Sequence, residues 1–389
     1  MWRTYLAGAA PGHGGTNPEA VLAEVLNSQE PIGADLQQLL YVVAERLADT
    51  GALALAVACH GLAFLASERS GDLHSACDVA MRRGRCHKLA AEWADAGHWY
   101  DRSMQWAENL DDWPRYGEAL SGLTGLRFEQ GATADARQMA ERLLELSEER
   151  DIPVCVALAH HHLALVAHNS GSLEDSIWHG WQAAVSHPSK EGRLRAIFMT
   201  GVSLVQAGHL DAAEDALRLA AAGIKEISHR VLAMSELAFV AALRGDGEEY
   251  DRRLERLEAI CWEQVSRHDR VKIVLDQAKA HATLNRLDEA RRRFQETILL
   301  AEQDGFNREV IQADEALTLL QSSTDPWSSH GPIATQGRSS EVEVGLRKLV
   351  EGASLSGTLP VTDWQAPVRA STDSSAAGTE SSPARDGVP

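Results

Sequence analysis

Cysteine and positive charge are both scarce in this chain. Its 389 residues include five cysteines, and no two of them form a CxxC pair. An odd number of cysteines in a chain of this length argues against a disulfide framework and favours the cytoplasm. Lysine and arginine together number 37, against 56 aspartate and glutamate residues, which gives a formal net charge of −19. Because nucleic-acid-binding proteins usually present a basic surface, we expect no direct contact with nucleic acid.

Long apolar runs are missing as well. No segment reaches the roughly 18 uncharged apolar residues that a membrane-spanning helix needs. The residues up to Pro11 hold one arginine and too few apolar side chains for the core of a signal peptide. We therefore expect a cytoplasmic protein that does not contact a membrane.

Catalytic motifs are also missing. The sequence has no HExxH, no G-x-S-x-G and no P-loop lysine after the glycines of residues 12–15. The neighbouring carboxylates of Asp111 and Asp112 precede Pro114, a place where aspartate is expected to cap a helix. We expect a protein that is not an enzyme and needs no cofactor.

The chain does contain an internal repeat. Short segments with helical apolar spacing arrive in pairs, and each pair is joined by glycine or asparagine followed by the pattern x-apolar-x-x-small. The predicted turns lie at Gly51, Gly97, Gly131, Gly171, Gly208, Gly245 and Asn285. From Gly97 onward the intervals are 34, 40, 37, 37 and 40 residues, and Gly51 lies 46 residues before Gly97.

Each copy predicts a hairpin of two helices. Glycine or asparagine tolerates the left-handed backbone that ends a helix, and an acidic residue after it suits the start of the next helix. Small residues such as Ala164 and Gly201 allow the two helices to approach closely. A hairpin of this kind exposes an apolar face that only neighbouring hairpins can cover, so the copies must stack.

The copies resemble the tetratricopeptide repeat family, in the elongated bacterial form with periods of 37–40 residues. Two copies carry the small residue, the turn residue, the leucine, the alanine and the large apolar residue of that family: Gly201, Gly208, Leu210, Ala213 and Leu217; Ala278, Asn285, Leu287, Ala290 and Phe294. Arg102 and Tyr250 stand where the family prefers alanine. The resemblance implies an all-α, right-handed superhelical solenoid of about six or seven hairpins over residues 35–320.

Composition predicts the flanks of this array. Residues 1–34 form a partly disordered flank with a short helix, and residues 321–389 form a disordered tail rich in Ser, Thr, Gly, Pro and Ala. An amphipathic stretch near residues 341–351 predicts a short helix in the tail. This helix either docks on the array or on a partner, or forms only transiently, and the composition favours the transient form.

Two groups of histidines and cysteines are candidate metal sites, and neither has the arrangement of ligands that such a site needs. A transition-metal site needs three or four converging ligands, and no Cys, Asp or Glu at helical spacing completes the set begun by His160, His161, His162 and His168. We interpret these histidines as a polar lining whose charge responds to pH.

In the group His74, Cys77, Cys86 and His87, the two cysteines are nine positions apart and on opposite faces of one helix. One thiol is expected to be buried and the other exposed, so no metal is predicted.

Four tryptophans crowd one predicted hairpin, and the last three are seven positions apart: Trp93, Trp99, Trp106 and Trp113. Spacing of seven places side chains on one helix face. We expect these rings to pack between neighbouring hairpins. An exposed tryptophan rim that contacts a partner is the alternative.

The resemblance implies that the first helix of each hairpin lines a concave groove. Residues two, three, six, nine, ten and thirteen positions before a turn share one side of such a helix. Counting back from four turns gives the candidate groove residues His161, His162, His168, Asn169, Arg195, Phe198, Met199, Val202, Gln206, Ser235, Glu236, Phe239, Lys272, Asp276 and Lys279. This mixture suits an extended or helical peptide anchored at Phe198 and Phe239, with its carboxylates met by the basic residues. Ordinary solvent-facing residues without a ligand are the alternative.

The resemblance and the missing catalytic motifs together predict a non-enzymatic protein-protein interaction module or scaffold. It would bind a peptide or a partner domain in the concave groove. The alternative is a regulatory sensor subunit that responds to a peptide or small ligand and acts on a separate transcription or signalling protein.

From Ser322 onward the chain carries eight acidic and five basic residues, so the preceding residues hold −16 of the −19 charges. This acidity predicts a partner that is neutral to basic.

Overall fold

The structure is a computed structural model that describes residues 34–49, 52–258, 265–304, 306–321 and 338–356. These residues form sixteen α-helices and no strand. In chain order the helices are α1 Ala34–Asp49, α2 Leu53–Ser70, α3 Leu73–Leu89, α4 Trp93–Asn109, α5 Trp113–Glu129, α6 Thr133–Glu149, α7 Pro153–Asn169, α8 Leu173–Ser186, α9 Lys190–Gln206, α10 Leu210–Gly223, α11 Ile227–Leu243, α12 Gly247–Glu258, α13 Arg267–Thr283, α14 Leu287–Asp304, α15 Asn307–Gln321 and α16 Arg338–Ser356.

The helices stack as hairpins. Each odd-numbered helix from α1 to α13 packs against the even-numbered helix that follows it, and we call the odd-numbered helices α1 to α15 the first helices and the even-numbered helices α2 to α14 the second helices. Successive first helices also contact each other, as α11 and α13 do, whereas the described second helices have no comparable contact. The array therefore curves with its first helices on the inner side. The predicted all-α solenoid is confirmed.

Most of the helices end in the same turn. One residue in each turn has positive φ: Gly71, Ala91, Asp111, Gly131, Asp151, Gly171, Gly208, Gly245 and Asn285. At Gly171 the amide donates to the carbonyl of His168, and the amide of Ser172 donates to the carbonyl of Ala167. These bonds satisfy carbonyl groups that the end of a helix would otherwise leave unpaired.

The turn predicted at Gly97 is wrong. Gly97 lies inside α4, and the turn of this hairpin is at Ala91, where φ is 57°. Counted from Ala91, the intervals become 40, 40, 37, 37 and 40 residues. The small residue five positions after the turn is then Ala96, which is fully buried, so Arg102 no longer departs from the family pattern. The turn predicted at Gly51 lies outside the described residues, between α1 and α2.

Two of the repeats have intervals of 37 residues, and their second helices are shorter than those of the two preceding repeats. Helices α8 and α10 have 14 residues each, whereas α4 and α6 have 17. Both short helices end in extended backbone, at His187 and at Ile224. The 37-residue intervals fall at these two hairpins.

Packing between hairpins explains several residue choices. A Cβ atom on Gly201 would lie 3.0 Å from the side chain of Leu217, so the glycine allows α9 and α10 to approach closely. Tyr250, which replaces the alanine of the family pattern, is fully buried and packs edge-on against His281 with ring centroids 5.3 Å apart. The predicted tryptophan packing is confirmed for Trp99 and Trp106, whose ring centroids each lie 5.1 Å from that of Phe64.

The two candidate thiols are both buried. Cys77 and Cys86 lie in α3 with exposed fractions of 0% and 1%. The prediction that one of them is exposed is wrong, because α3 is covered both by its hairpin partner and by the preceding hairpin. Among the described helices, none combines the length and apolar character needed to cross a membrane.

The flanks are described only in part. Residues 1–33 of the predicted N-terminal flank lie outside the described residues, and so do residues 322–337 and 357–389 of the predicted tail. The amphipathic stretch near 341–351 lies within α16, which is longer than predicted. Helix α16 packs against α8 and α10.

Candidate binding groove

Five first helices surround a common concave space, which we call the groove. Helices α9, α11, α13 and α15 contact one another in sequence, and His168 of α7 lies 3.2 Å from the hydroxyl oxygen of Ser203 in α9. Arg308, in the first turn of α15, donates a hydrogen bond to Oδ1 of Asn169 at the end of α7, over 3.2 Å. These two residues are 139 positions apart in the chain. The curvature of the array thus brings the start of α15 within hydrogen-bonding distance of the end of α7.

The predicted groove residues differ in how far they are exposed. Arg195, Gln206 and Asn169 are exposed. A further set is half-buried: His161, His168, Met199, Val202, Glu236, Phe239, Lys272, Asp276 and Lys279. The remaining three are buried, with exposed fractions of 8% for His162, 7% for Phe198 and 2% for Ser235.

The three buried residues belong to the packing between hairpins. Nε2 of His162 lies 2.8 Å from the hydroxyl oxygen of Ser121 in α5. Phe198 belongs to the largest apolar cluster of the protein. In α9 and α11 the position ten before the turn, held by Phe198 and Ser235, is therefore closed to a ligand. The expectation that Phe198 is an accessible anchor is corrected, and Met199, Val202 and Phe239 are the accessible apolar residues of the wall.

Two carboxylates occupy the same position in neighbouring first helices. Glu236 in α11 and Asp276 in α13 each lie nine residues before their turn. Desolvation in the groove, followed by the repulsion of Asp276, raises the pKa of Glu236 well above its usual range. Desolvation also raises the pKa of Asp276, against the attraction of Lys279 and Lys272. Nζ of Lys279 lies 3.9 Å from Oδ1 of Asp276.

The histidines of α7 are neutral at neutral pH. Desolvation, followed by the nearby charges of His229, Lys88 and His187, lowers the pKa of His161 to about 4. Desolvation, followed by His161 and Lys88, lowers the pKa of His162 to about 3. Their charge therefore does not change between pH 5 and 8, and the expectation of a pH-sensitive lining is corrected for these two residues.

No predicted histidine or cysteine group forms a metal-binding cluster among the described residues. The described residues contain one set of three side chains close enough to share an ion, namely His87, Glu92 and Asp95. Nδ1 of His87 already lies 2.6 Å from Oε2 of Glu92, and both carboxylates are exposed. This geometry is that of a histidine paired with a carboxylate at the start of a helix.

Sequence reasoning missed two basic residues that act on the predicted groove residues. Arg308 was not among the predicted groove residues, and neither was Lys88, whose charge acts on His161 and His162 from α3. Arg308 stands in the first turn of α15, where counting back from a turn does not reach. A cationic residue at this position carries no sequence signal for a contact with α7.

A family model for the tetratricopeptide repeat matches residues 75–149. The match spans α3 to α6, which are two successive hairpins of the array. Residues 75–149 are thus similar to tetratricopeptide repeats. The four hairpins from α7 to α14 share the same turns and the same packing of first helix on second helix. A search of the curated proteins finds no match to the chain.

Tetratricopeptide repeats are in general non-catalytic modules for contacts between proteins, and that is the general role the family implies here. Such arrays use the inner surface of the solenoid because stacking many hairpins creates an extended concave face.

Replacing Glu236 with glutamine should remove a destabilising effect that appears at high pH. The folded protein keeps the proton of Glu236 at pH values where the unfolded chain loses it, so this residue lowers stability as pH rises from the ordinary glutamate range through its raised pKa. Each unit of raised pKa corresponds to about 1.4 kcal/mol. In urea unfolding at pH 5, 7 and 8, Glu236→Gln should gain stability over the wild type as pH rises. Glu255→Gln, on the exposed side of α12, should follow the wild type, and parallel pH slopes for all three chains would contradict the raised pKa.

Proposed function

We propose that the protein binds an extended segment of a partner protein in the groove. The observation that carries this proposal is the contact between Arg308 and Asn169, which joins the first turn of α15 to the end of α7 across the inner side of the array. Most of the candidate groove residues are half-buried, and a recessed surface of this kind accepts an extended chain more readily than a folded domain. The general role of tetratricopeptide repeats as protein-binding modules supports the same conclusion.

The apolar part of the wall would hold apolar side chains of the peptide. Met199 and Val202 lie on α9 and Phe239 lies on α11, and all three are half-buried. A few residues near the centre of an interface, often aromatic and fully desolvated on binding, usually contribute most of its binding energy. Methionine also adapts its shape to different partners.

The charged part of the wall favours a basic residue in the peptide. Glu236 and Asp276 stand on neighbouring helices where desolvation opposes their ionisation, and a cation from the peptide would stabilise their charged forms. Lys272 and Lys279 lie on the same face, and they could bind one acidic residue of the peptide. The −16 net charge of residues 1–321 acts in the same direction over a longer range. The proposed ligand is therefore an extended segment that carries an apolar residue next to a basic one.

Peptides selected from a library of random 12-residue sequences test this proposal. We expect the selected peptides to bind Val202→Glu at least about tenfold more weakly than the wild type, because the new carboxylate stands among the apolar wall residues. The matched control is Arg292→Glu on α14, a second helix, where Arg292 is exposed. This control should bind the same peptides as the wild type does. Equal affinity for all three chains, with unchanged melting temperatures, would rule out the groove as the binding site.

A further inference from the structure

Helix α16 packs on a part of the array that is separate from the groove. It contacts α8 and α10, which are second helices, and the groove is formed by first helices. Val342 and Leu346, one helical turn apart, are fully buried in this contact. Leu349 and Val350 lie half-buried against the same apolar cluster, while Val344 on the outer side is 49% exposed. The helix thus presents an amphipathic face to the array.

The fit between α16 and the array is specific. A Cβ atom on Gly345 would lie 2.4 Å from Cζ2 of Trp181 in α8, so only glycine fits at this position. Oε1 of Glu343 lies 3.2 Å from Nδ1 of His209 at the start of α10. The surface therefore recognises a helix with apolar residues at the positions of Val342 and Leu346, an acidic residue between them and a residue without a side chain at position 345.

The array departs from its regular repeat at the place where α16 binds. The two second helices that α16 covers, α8 and α10, have 14 residues each, whereas α4 and α6 have 17 and the described part of α12 has 12. The 37-residue intervals fall at these hairpins, and the intervals from Ala91 to Gly171 are 40 residues each. The surface that holds α16 thus coincides with a local change in the length of the repeat.

We propose that the surface formed by α8 and α10 is a second binding site, which accepts an amphipathic helix from a partner protein, and that α16 occupies it as a displaceable ligand. Three described side chains of α16 are buried, namely Ser339, Val342 and Leu346, whereas Val344 is exposed. The contact that holds α16 is therefore small. Attachment through residues 322–337 keeps α16 close to its site and raises its local concentration. A separate helix that buries more apolar residues on the same surface can therefore replace it. The α16 of a second copy would only repeat the same contacts, so it gains nothing over the tethered helix.

The probe for this proposal is a fluorescent synthetic peptide of residues 338–356. We expect it to bind full-length Gly345→Leu at least about tenfold more tightly than the wild type, because the clash with Trp181 releases the chain's own helix and leaves the site free. Val344→Leu, which changes an exposed residue of α16, should bind the peptide as weakly as the wild type. A peptide that itself carries Gly345→Leu should not bind any of the chains. Equal affinity of the native peptide for all three chains would overturn the proposal.

A second variant tests whether the effect of Gly345→Leu comes from release of α16 or from a folding defect. Leu346→Asp places a carboxylate in the buried contact of α16 and should release this helix as Gly345→Leu does. Both variants should keep the helical circular dichroism of the array. Adding Val202→Glu to Gly345→Leu should leave binding of the 338–356 peptide unchanged, since Val202 faces the groove. Sedimentation should show a wild-type monomer, and a dimer that dissociates in Gly345→Leu would assign the site to a second copy and overturn the proposed partner.

Discussion

Replacing Leu217 with alanine should lower the free energy of unfolding by about 2–5 kcal/mol. Leu217 is fully buried on α10 and packs against Gly201 of α9, so the shorter side chain leaves a cavity at the centre of a hairpin. It also belongs to the largest apolar cluster, which extends from α8 to α13 and includes residues of α16. Urea unfolding followed by circular dichroism at 222 nm measures the loss.

The matched control for Leu217→Ala is Leu299→Ala on α14. Leu299 is 61% exposed, so removal of its side chain leaves no cavity. We expect its free energy of unfolding to stay within about 0.5 kcal/mol of the wild type. Similar losses in the two variants would mean that Leu217 does not fill a buried site between α9 and α10.

Replacing Glu214 with glutamine should lower stability by about 2–4 kcal/mol at pH 7. Glu214 is 6% exposed on α10, and its Oε1 lies 2.7 Å from a guanidinium nitrogen of Arg218 and 2.8 Å from one of Arg253. It also binds Arg244 at the end of α11, so one carboxylate joins two successive hairpins. Glutamine cannot neutralise these arginines, of which Arg253 is 14% exposed and remains largely out of water.

The effect of Glu214→Gln should depend on pH with a definite sign. Burial alone would raise the pKa of Glu214, but hydrogen bonds and charges from Arg253, Arg218 and Arg244 hold it below its usual range. The stabilisation from the ionised carboxylate is therefore present above the ordinary glutamate pKa and is lost as pH falls through the lowered value. The difference between wild type and variant should be largest near pH 7 and should shrink below pH 4.

Asp211 provides the control for this network. Like Glu214, Asp211 binds Arg244, and its Oδ1 lies 2.6 Å from a guanidinium nitrogen of that residue. In contrast to Glu214, the side chain of Asp211 is almost fully exposed. Ion pairs in water contribute little to stability, so Asp211→Asn should have a much smaller effect at every pH. If both substitutions cost the same, burial is not the source of the strength of the Glu214 network.

The sequence was sufficient to predict the hairpins whose turns use glycine or asparagine. Gly131, Gly171, Gly208, Gly245 and Asn285 all have positive φ, as their residue types indicate. The turns at Ala91, Asp111 and Asp151 carry no such signal, because alanine and aspartate are common inside helices or at their starts. The wrong turn at Gly97 follows from this gap.

The groove could be predicted only as a set of positions. Counting back from each turn identifies one side of a helix, and Met199, Glu236 and Asp276 are indeed half-buried on that side. It cannot reveal that Phe198 packs against a neighbouring hairpin, because that depends on the angle between hairpins. The contact between Arg308 and Asn169 depends on the summed rotation of four hairpins, and small rotations per repeat are not encoded in a local pattern.

The docking of α16 was likewise outside the reach of the sequence. The apolar spacing near 341–351 indicates a helix but not a surface, and its composition favours a transient one. The surface needs Trp181 of α8 and His209 before α10, and their proximity to Gly345 and Glu343 arises only after the hairpins stack.

Photo-crosslinking tests the proposed groove most directly. A library-selected 12-residue peptide that carries a benzophenone side chain is bound to the full-length protein, irradiated, and its attachment sites are mapped by mass spectrometry. We predict attachment to first helices α9, α11 and α13, at or beside Met199, Val202 and Phe239. Attachment confined to the second helices α10, α12 and α14 would contradict the account.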